Sequence, residues 1–159
     1  MKILVICSGN ICRSPMVAAY LRHRLNRSGL SHVVVSQGGT LRIDGAPAAK
    51  EAVEAMAEID IDLSGHRSRA LSGAEVRSSE WVVAMDYDHL EILAQRFPEG
   101  RDTRFLLRAF EAGPQPGPGA RDLKDPVGAP LKVFREQRNL IRVCVDHLVL
   151  YLKHQTTES

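Results

Sequence analysis

The feature that most constrains this chain is the run from Ile3 to Pro15, Ile-Leu-Val-Ile-Cys-Ser-Gly-Asn-Ile-Cys-Arg-Ser-Pro. Ile3-Leu4-Val5-Ile6 is a short, continuous apolar run, which reads as a parallel strand buried on both faces. Met16-Val17-Ala18-Ala19-Tyr20-Leu21 reads as a helix. A strand, a tight loop and a helix bring backbone N–H groups and the positive end of a helix dipole onto one point, where an anion binds. Gly9 and Asn10 are residue types that tolerate the left-handed backbone of such a nest. Ser14 is expected at the N-cap and Pro15 at the first helical position.

Two side chains give the cradle its chemistry. Cys7 ends the strand and faces the helix N-terminus; the dipole and Arg13 both favour its thiolate. A thiolate inside an oxyanion cradle is a nucleophile aimed at phosphorus. Arg13 offers a planar fork matched to two phosphoryl oxygens. Ser8, Gly9, Asn10, Ile11, Cys12, Arg13 and Ser14 form the expected phosphate-binding wall, with Ser14 free to bond the sulfur. A zinc reading of Cys7 and Cys12 has no second cysteine pair and would set Arg13 against the cation, so no metal and no cofactor are expected.

Through Cys7-x5-Arg13-Ser14-Pro15 close to the N-terminus, the chain resembles the low-molecular-weight protein tyrosine phosphatases of bacterial type. The resemblance covers nearly the whole chain, and Cys7, Arg13 and an Asp-Pro in a late loop would be the catalytic set. Only Asp125-Pro126 matches that Asp-Pro. An acid is needed there because a thiolate that displaces an alkoxide must have a proton delivered to the leaving oxygen. Pro126 biases Asp125 toward extended backbone and holds its carboxyl out from the loop. Asp122 lies three residues earlier, without a proline. The family also implies a left-handed asparagine, here Asn10, held by a serine and a histidine, here Ser36 and His66. Two departures stand out. Ser36-Gln37-Gly38-Gly39-Thr40 is one residue longer than the family's Ser-Ala-Gly-Thr, and Val127-Gly128 replace the aromatic pocket rim of classical members.

The remainder alternates strand and helix. The expected elements are a helix from Pro15 to about Arg27, a strand over His32–Ser36, and a loop over Gln37–Thr40. A helix from Pro47 to about Ile59 and a helical turn over Ser72–Ser78 follow. Next come a strand over Trp81–Met85, a helix from Tyr87 or Asp88 closed by Pro98 and Gly100, and a weaker strand over Thr103–Leu107. The stretch 111–130 is rich in Pro and Gly and is a long loop. A last helix starts at Pro130, with Cys144 as a core residue and a frayed tail after Lys153. Such alternation specifies an α/β fold, a doubly wound parallel sheet of four strands with helices on both faces. The resemblance implies the strand order 2-1-3-4, with residues 1–159 as one domain.

A net charge of +2 and 5% aromatic residues offer no basic-aromatic stripe for nucleic acid. No apolar run reaches membrane-spanning length and no signal peptide precedes Cys7, so the expected setting is the cytoplasm, as a monomer. Three cysteines do not make a disulfide framework. The expected activity is hydrolysis of phosphotyrosine in a protein through a cysteinyl-phosphate, releasing inorganic phosphate. Ile11 favours a phenyl ring, whereas the family's arginine phosphatases carry threonine there. The alternatives are a protein-arginine phosphatase of the same family, a non-catalytic phosphate-binding module, and, with less support, an arsenate reductase, which would need a resolving cysteine in the middle of the chain. Cys12 is a candidate redox partner for Cys7.

Overall fold

The computed structural model describes residues 1–100 and 103–158. Its elements in chain order are β1 (Lys2–Cys7), α1 (Arg13–Arg27), β2 (Val34–Gly39), α2 (Lys50–Ala57), α3 (Gly73–Ser78), β3 (Trp81–Ala84), α4 (Tyr87–Arg96), β4 (Arg104–Leu106) and α5 (Leu131–Thr157). A short 3-10 helix, Leu107–Phe110, follows β4. All strand pairs are parallel, in the order β2-β1-β3-β4, as expected.

The strand alternation of β1 divides the core in two. Ile3, Val5 and Cys7 face the larger layer, where α1, α2 and α5 supply Leu21, Leu25, Met56, Phe134, Ile141 and Leu148. Leu4 and Ile6 face the smaller layer of Val76 from α3 and Leu93 from α4. Because β1 is covered on both faces, its sequence is continuously apolar rather than alternating. Among the described residues, no helix is long and apolar enough to cross a membrane.

Several element ends differ from the sequence expectation, each for a local reason. Helix α1 begins at Arg13 with Cys12 as N-cap, and Ser14 and Pro15 lie within its first turn. The Ser14 hydroxyl is therefore not a cap and is free for the cradle. Strand β2 runs on to Gly39 because Gln37, Gly38 and Gly39 pair with Val5, Ile6 and Cys7. Gly39 is required at that close approach: a Cβ there would lie 2.5 Å from the Ser8 carbonyl oxygen. The α5 tail stays helical to Thr157 rather than fraying after Lys153. Leu148 and Leu152 carry the buried stripe of α5 toward that end. Strand β4 stops at Leu106.

Both the β1–α1 loop and the loop following β3 leave the carboxyl edge of the sheet at its centre. The strand order reverses there, since β1 connects outward to β2 and the chain then crosses back to β3, which opens a crevice at this edge. The loop 111–130 crosses the same edge, pinned by buried Leu123, whose amide donates to the Met85 carbonyl at 2.8 Å.

Candidate active site

The cradle is shaped from outside by its carbonyls. Those of Cys7 and Ser8 accept from the amides of Thr40 and Leu41, both at 2.9 Å, and that of Ile11 from the amide of Ala49 at 2.8 Å. The Asn10 carbonyl accepts from His66 Nε2 at 2.7 Å. In a trans peptide the N–H points opposite to the C=O. Four carbonyls turned outward thus set the amides of Ser8, Gly9, Ile11 and Cys12 toward the hollow, beside the start of α1.

Asn10 is the pivot of the loop. It is fully buried and left-handed, with φ 57°. Its amide donates to Cys7 Sγ at 3.2 Å, and its Nδ2 donates to Ser14 Oγ at 2.7 Å and Gln37 Oε1 at 3.1 Å. Its Oδ1 accepts from the Arg69 amide at 3.1 Å. Ser14 Oγ lies 2.9 Å from Cys7 Sγ. That oxygen accepts from Asn10 and keeps one hydrogen, which is available to the sulfur. The Asn10 amide and the Ser14 hydroxyl thus both lie within hydrogen-bond distance of Cys7 Sγ.

The expected serine support is corrected. Ser36 makes no hydrogen bond to Asn10, and its buried Oγ has no hydrogen-bond partner among the described groups. The side chain that reaches Asn10 is Gln37. The extra residue before Thr40 explains the change. Counting back from Thr40, Gln37 holds the position of the family's serine, and in a strand a shift of one residue turns the side chain to the other face. His66 does support Asn10, through the backbone carbonyl. Burial lowers the pKa of His66, and its bond to Asn10 opposes that shift.

Arg13 is buried under three partners, two of which the sequence did not point to. Its Nη1 donates to Asp86 Oδ2 at 2.9 Å and to the Leu123 carbonyl at 2.8 Å, and its Nη2 donates to Ser8 Oγ at 3.4 Å. Asp86 is the N-cap of α4 and accepts from the His89 amide at 3.1 Å. The Asp86 amide in turn donates to His89 Nδ1 at 3.1 Å. Burial lowers the pKa of His89, against the pull of Asp86, so the ring is neutral. With Nδ1 accepting, the proton sits on Nε2, which donates to Ser8 Oγ at 3.0 Å. Asp86 and His89 thus lock the cradle to α4. The available signal was an aspartate three residues before a histidine at a strand-to-helix junction, which reads only as a cap.

Cys7, Ser8, Gly9, Ile11, Cys12, Arg13, Leu41, Ile43, Asp125 and Val127 line one cavity of about 250 Å³. Asp125 stands at its mouth, about half exposed, with Oδ2 3.8 Å from Arg13 Nη2 and Oδ1 accepting from the Val127 amide at 3.1 Å. Asp122 is outside the cavity and accepts from the Tyr87 amide at 2.9 Å. Cys144 is fully buried in α5, and burial pushes its thiol up to about 12. Cys12 is likewise pushed up to about 12, by burial first and then by Asp125 and Cys7.

A doubly wound sheet whose central loop forms a Cys-x5-Arg oxyanion cradle defines a cysteine-dependent phosphatase. Comparison with known proteins makes this specific: residues 2–158 match the family described as low molecular weight phosphotyrosine protein phosphatase, and the chain belongs to it. A curated relative from Ralstonia nicotianae, a probable low molecular weight protein-tyrosine-phosphatase, is 35% identical, with 91% of this chain and 90% of the relative aligned. A protein-arginine-phosphatase from Geobacillus stearothermophilus is 33% identical, over 92% of this chain and 93% of the relative. The solved arginine phosphatase YwlE from that organism superposes with a TM-score of 0.85 at 32% identity, covering 99% of this chain and 96% of the other.

Proposed function

We propose that this phosphatase hydrolyses phosphotyrosine in proteins, with Cys7 as nucleophile, Arg13 and the cradle amides as oxyanion ligands and Asp125 as acid and base. The observation that carries the substrate reading is the wall of the cavity. Ile11, Leu41, Ile43 and Val127 give it an apolar side, beside Asp125 at the mouth. A phenyl ring loses nothing against that surface, whereas a guanidino group would set N–H donors against isoleucine, at a cost of about 1–3 kcal/mol.

Cys7 Sγ attacks phosphorus, and the bond to the ester oxygen breaks as the Asp125 carboxyl delivers its proton to that oxygen. The charge of the transferring group falls on oxygens facing Arg13 and the amides of Ser8, Gly9, Ile11 and Cys12. The Asp125 carboxylate then takes a proton from water, whose oxygen attacks the cysteinyl-phosphate. The P–S bond breaks, inorganic phosphate leaves and the thiolate returns. The Ser14 hydroxyl, 2.9 Å from the sulfur, stabilises that thiolate as a leaving group. Three free, buried cysteines fit a reducing compartment, and we place the protein in the cytoplasm.

A second reading, phosphoarginine as substrate, is favoured by the relatives named protein-arginine-phosphatase, at 33% and 32% identity. The test compares kcat/KM on phosphotyrosine and phosphoarginine peptides for wild type and Ile11→Thr. Wild type should prefer phosphotyrosine, and the substitution should move preference toward phosphoarginine. A wild type that already prefers phosphoarginine would replace the first reading by the second.

A further inference from the structure

Beside the Cys7 cavity, across the loop that leaves β2, lies a second and larger one. It has a volume of about 560 Å³, and Thr40, Arg42, Ala70 and Arg96 are among the residues that line it. The loop serves both hollows by alternation: Leu41 and Ile43 line the Cys7 cavity, and Arg42 between them lines its neighbour. The loop is fixed to the cradle, because the Thr40 and Leu41 amides donate to the Cys7 and Ser8 carbonyls at 2.9 Å. Arg96 holds it from the far side, with Nη1 donating to the Thr40 carbonyl at 3.2 Å.

Among the described residues that line this second cavity, none carries a carboxylate. Glu75 is engaged by both guanidinium nitrogens of Arg69, and Asp44 accepts from the Ala70 amide at 3.0 Å. Among the described residues, no carboxylate pairs with Arg42 or Arg96. Leu41 and Ile43 line the cavity that holds Cys7, and Arg42, between them in sequence, lines its neighbour, so a peptide whose phosphoresidue entered the first cavity would carry its flanking residues toward Arg42.

We propose that the Arg42–Arg96 cavity is a substrate subsite that receives an acidic side chain, aspartate or glutamate, flanking the phosphoresidue. The proposal rests on the protein-phosphatase reading of the Cys7 site. It makes selection among phosphoproteins electrostatic, read one loop away from the chemistry.

The test uses the full chain as wild type, Arg42→Glu and Arg42→Lys. The substrates are an aryl phosphate and peptides carrying whichever phosphoresidue the enzyme hydrolyses faster, with Glu or Gln at successive positions on either side. Wild type should favour one or more Glu peptides through KM, and raising salt should erase the preference. Arg42→Glu should lower kcat/KM on those peptides about five- to tenfold, a modest effect suited to an exposed pair, and leave the aryl phosphate unchanged. Arg42→Lys should retain most of the preference. Equal wild-type efficiency on Glu and Gln peptides, or an Arg42→Glu loss shared by the aryl phosphate, overturns the subsite while the Cys7 chemistry stands. A wild type inactive on the aryl phosphate and on every peptide overturns the Cys7 reading and the subsite with it.

Discussion

The two halves of the candidate site are held in opposite ways. The cradle half is buried and over-determined: Asn10 alone makes five hydrogen bonds, and Arg13 is tied to Asp86, Leu123 and Ser8. The half that carries Asp125, the proposed acid, is a loop without regular structure between the 3-10 helix and α5, pinned by Leu123, with the Asp125 carboxyl half in solvent. Oxyanion stabilisation needs fixed dipoles that do not reorganise as charge develops. An acid must meet leaving groups of different shape, and a loosely held carboxyl at the mouth suits that task.

The contrast can be broken most severely at the nucleophile. Cys7→Ser should cost about ten-thousand-fold or more in aryl phosphate hydrolysis while circular dichroism and Tm stay near wild type. Retained turnover would remove Cys7 from its role. At the other half, Asp125→Asn should slow esters of poor leaving groups by about a hundred- to a thousandfold, but activated esters far less. Equal losses across a leaving-group series would mean that Asp125 is not the acid, and would revive the reading of a phosphate-binding module with incidental turnover.

A smaller effect is expected where the cradle meets α4. His89→Ala should lower kcat about tenfold by freeing Ser8 and Asp86, and His89→Gln should restore part of it, since a side-chain amide can still donate to Ser8. Loss of stability with kcat intact would reduce His89 to a packing residue. The same histidine sharpens the comparison through pH. Burial holds the folded-state pKa of His89 and His66 below the ordinary 6.5. As pH falls through that value the unfolded chain takes up protons that the folded chain refuses, so stability should fall with acidification and level off below the folded values. Urea midpoints between pH 7.5 and 5 should decline less in His89→Gln than in wild type.

The smallest effect concerns Cys12, which shares the cavity with Cys7. Peroxide is expected to oxidise Cys7 to a sulfenic acid, from which the Cys12 thiol would displace water to close a disulfide. With Cys12 pushed up to about 12, few of its thiols are ionised near neutrality, so closure should be slow there and faster as pH rises. Recovery of activity with a thiol reductant should be more complete in wild type than in Cys12→Ser. Identical recovery would leave Cys12 a packing residue.

Residues 3–15 determined most of what this protein is. A continuous apolar strand must be buried on both faces, and Gly-Asn followed by a helix start makes an anion nest wherever it folds; both are local properties. The order of alternating strands and helices followed from that patterning. Tertiary structure alone decided what surrounds the arginine. Asp86 and His89 are 73 and 76 positions from Arg13, and Leu123 is 110, so no spacing rule connects them. It also decided the exchange of Ser36 for Gln37. Strand register is set by pairing with β1, and one inserted residue changes the face that every preceding side chain presents. The placement of Arg42 and Arg96 on one cavity arose in the same way, from a loop whose path is fixed by hydrogen bonds to the cradle rather than by its own residues.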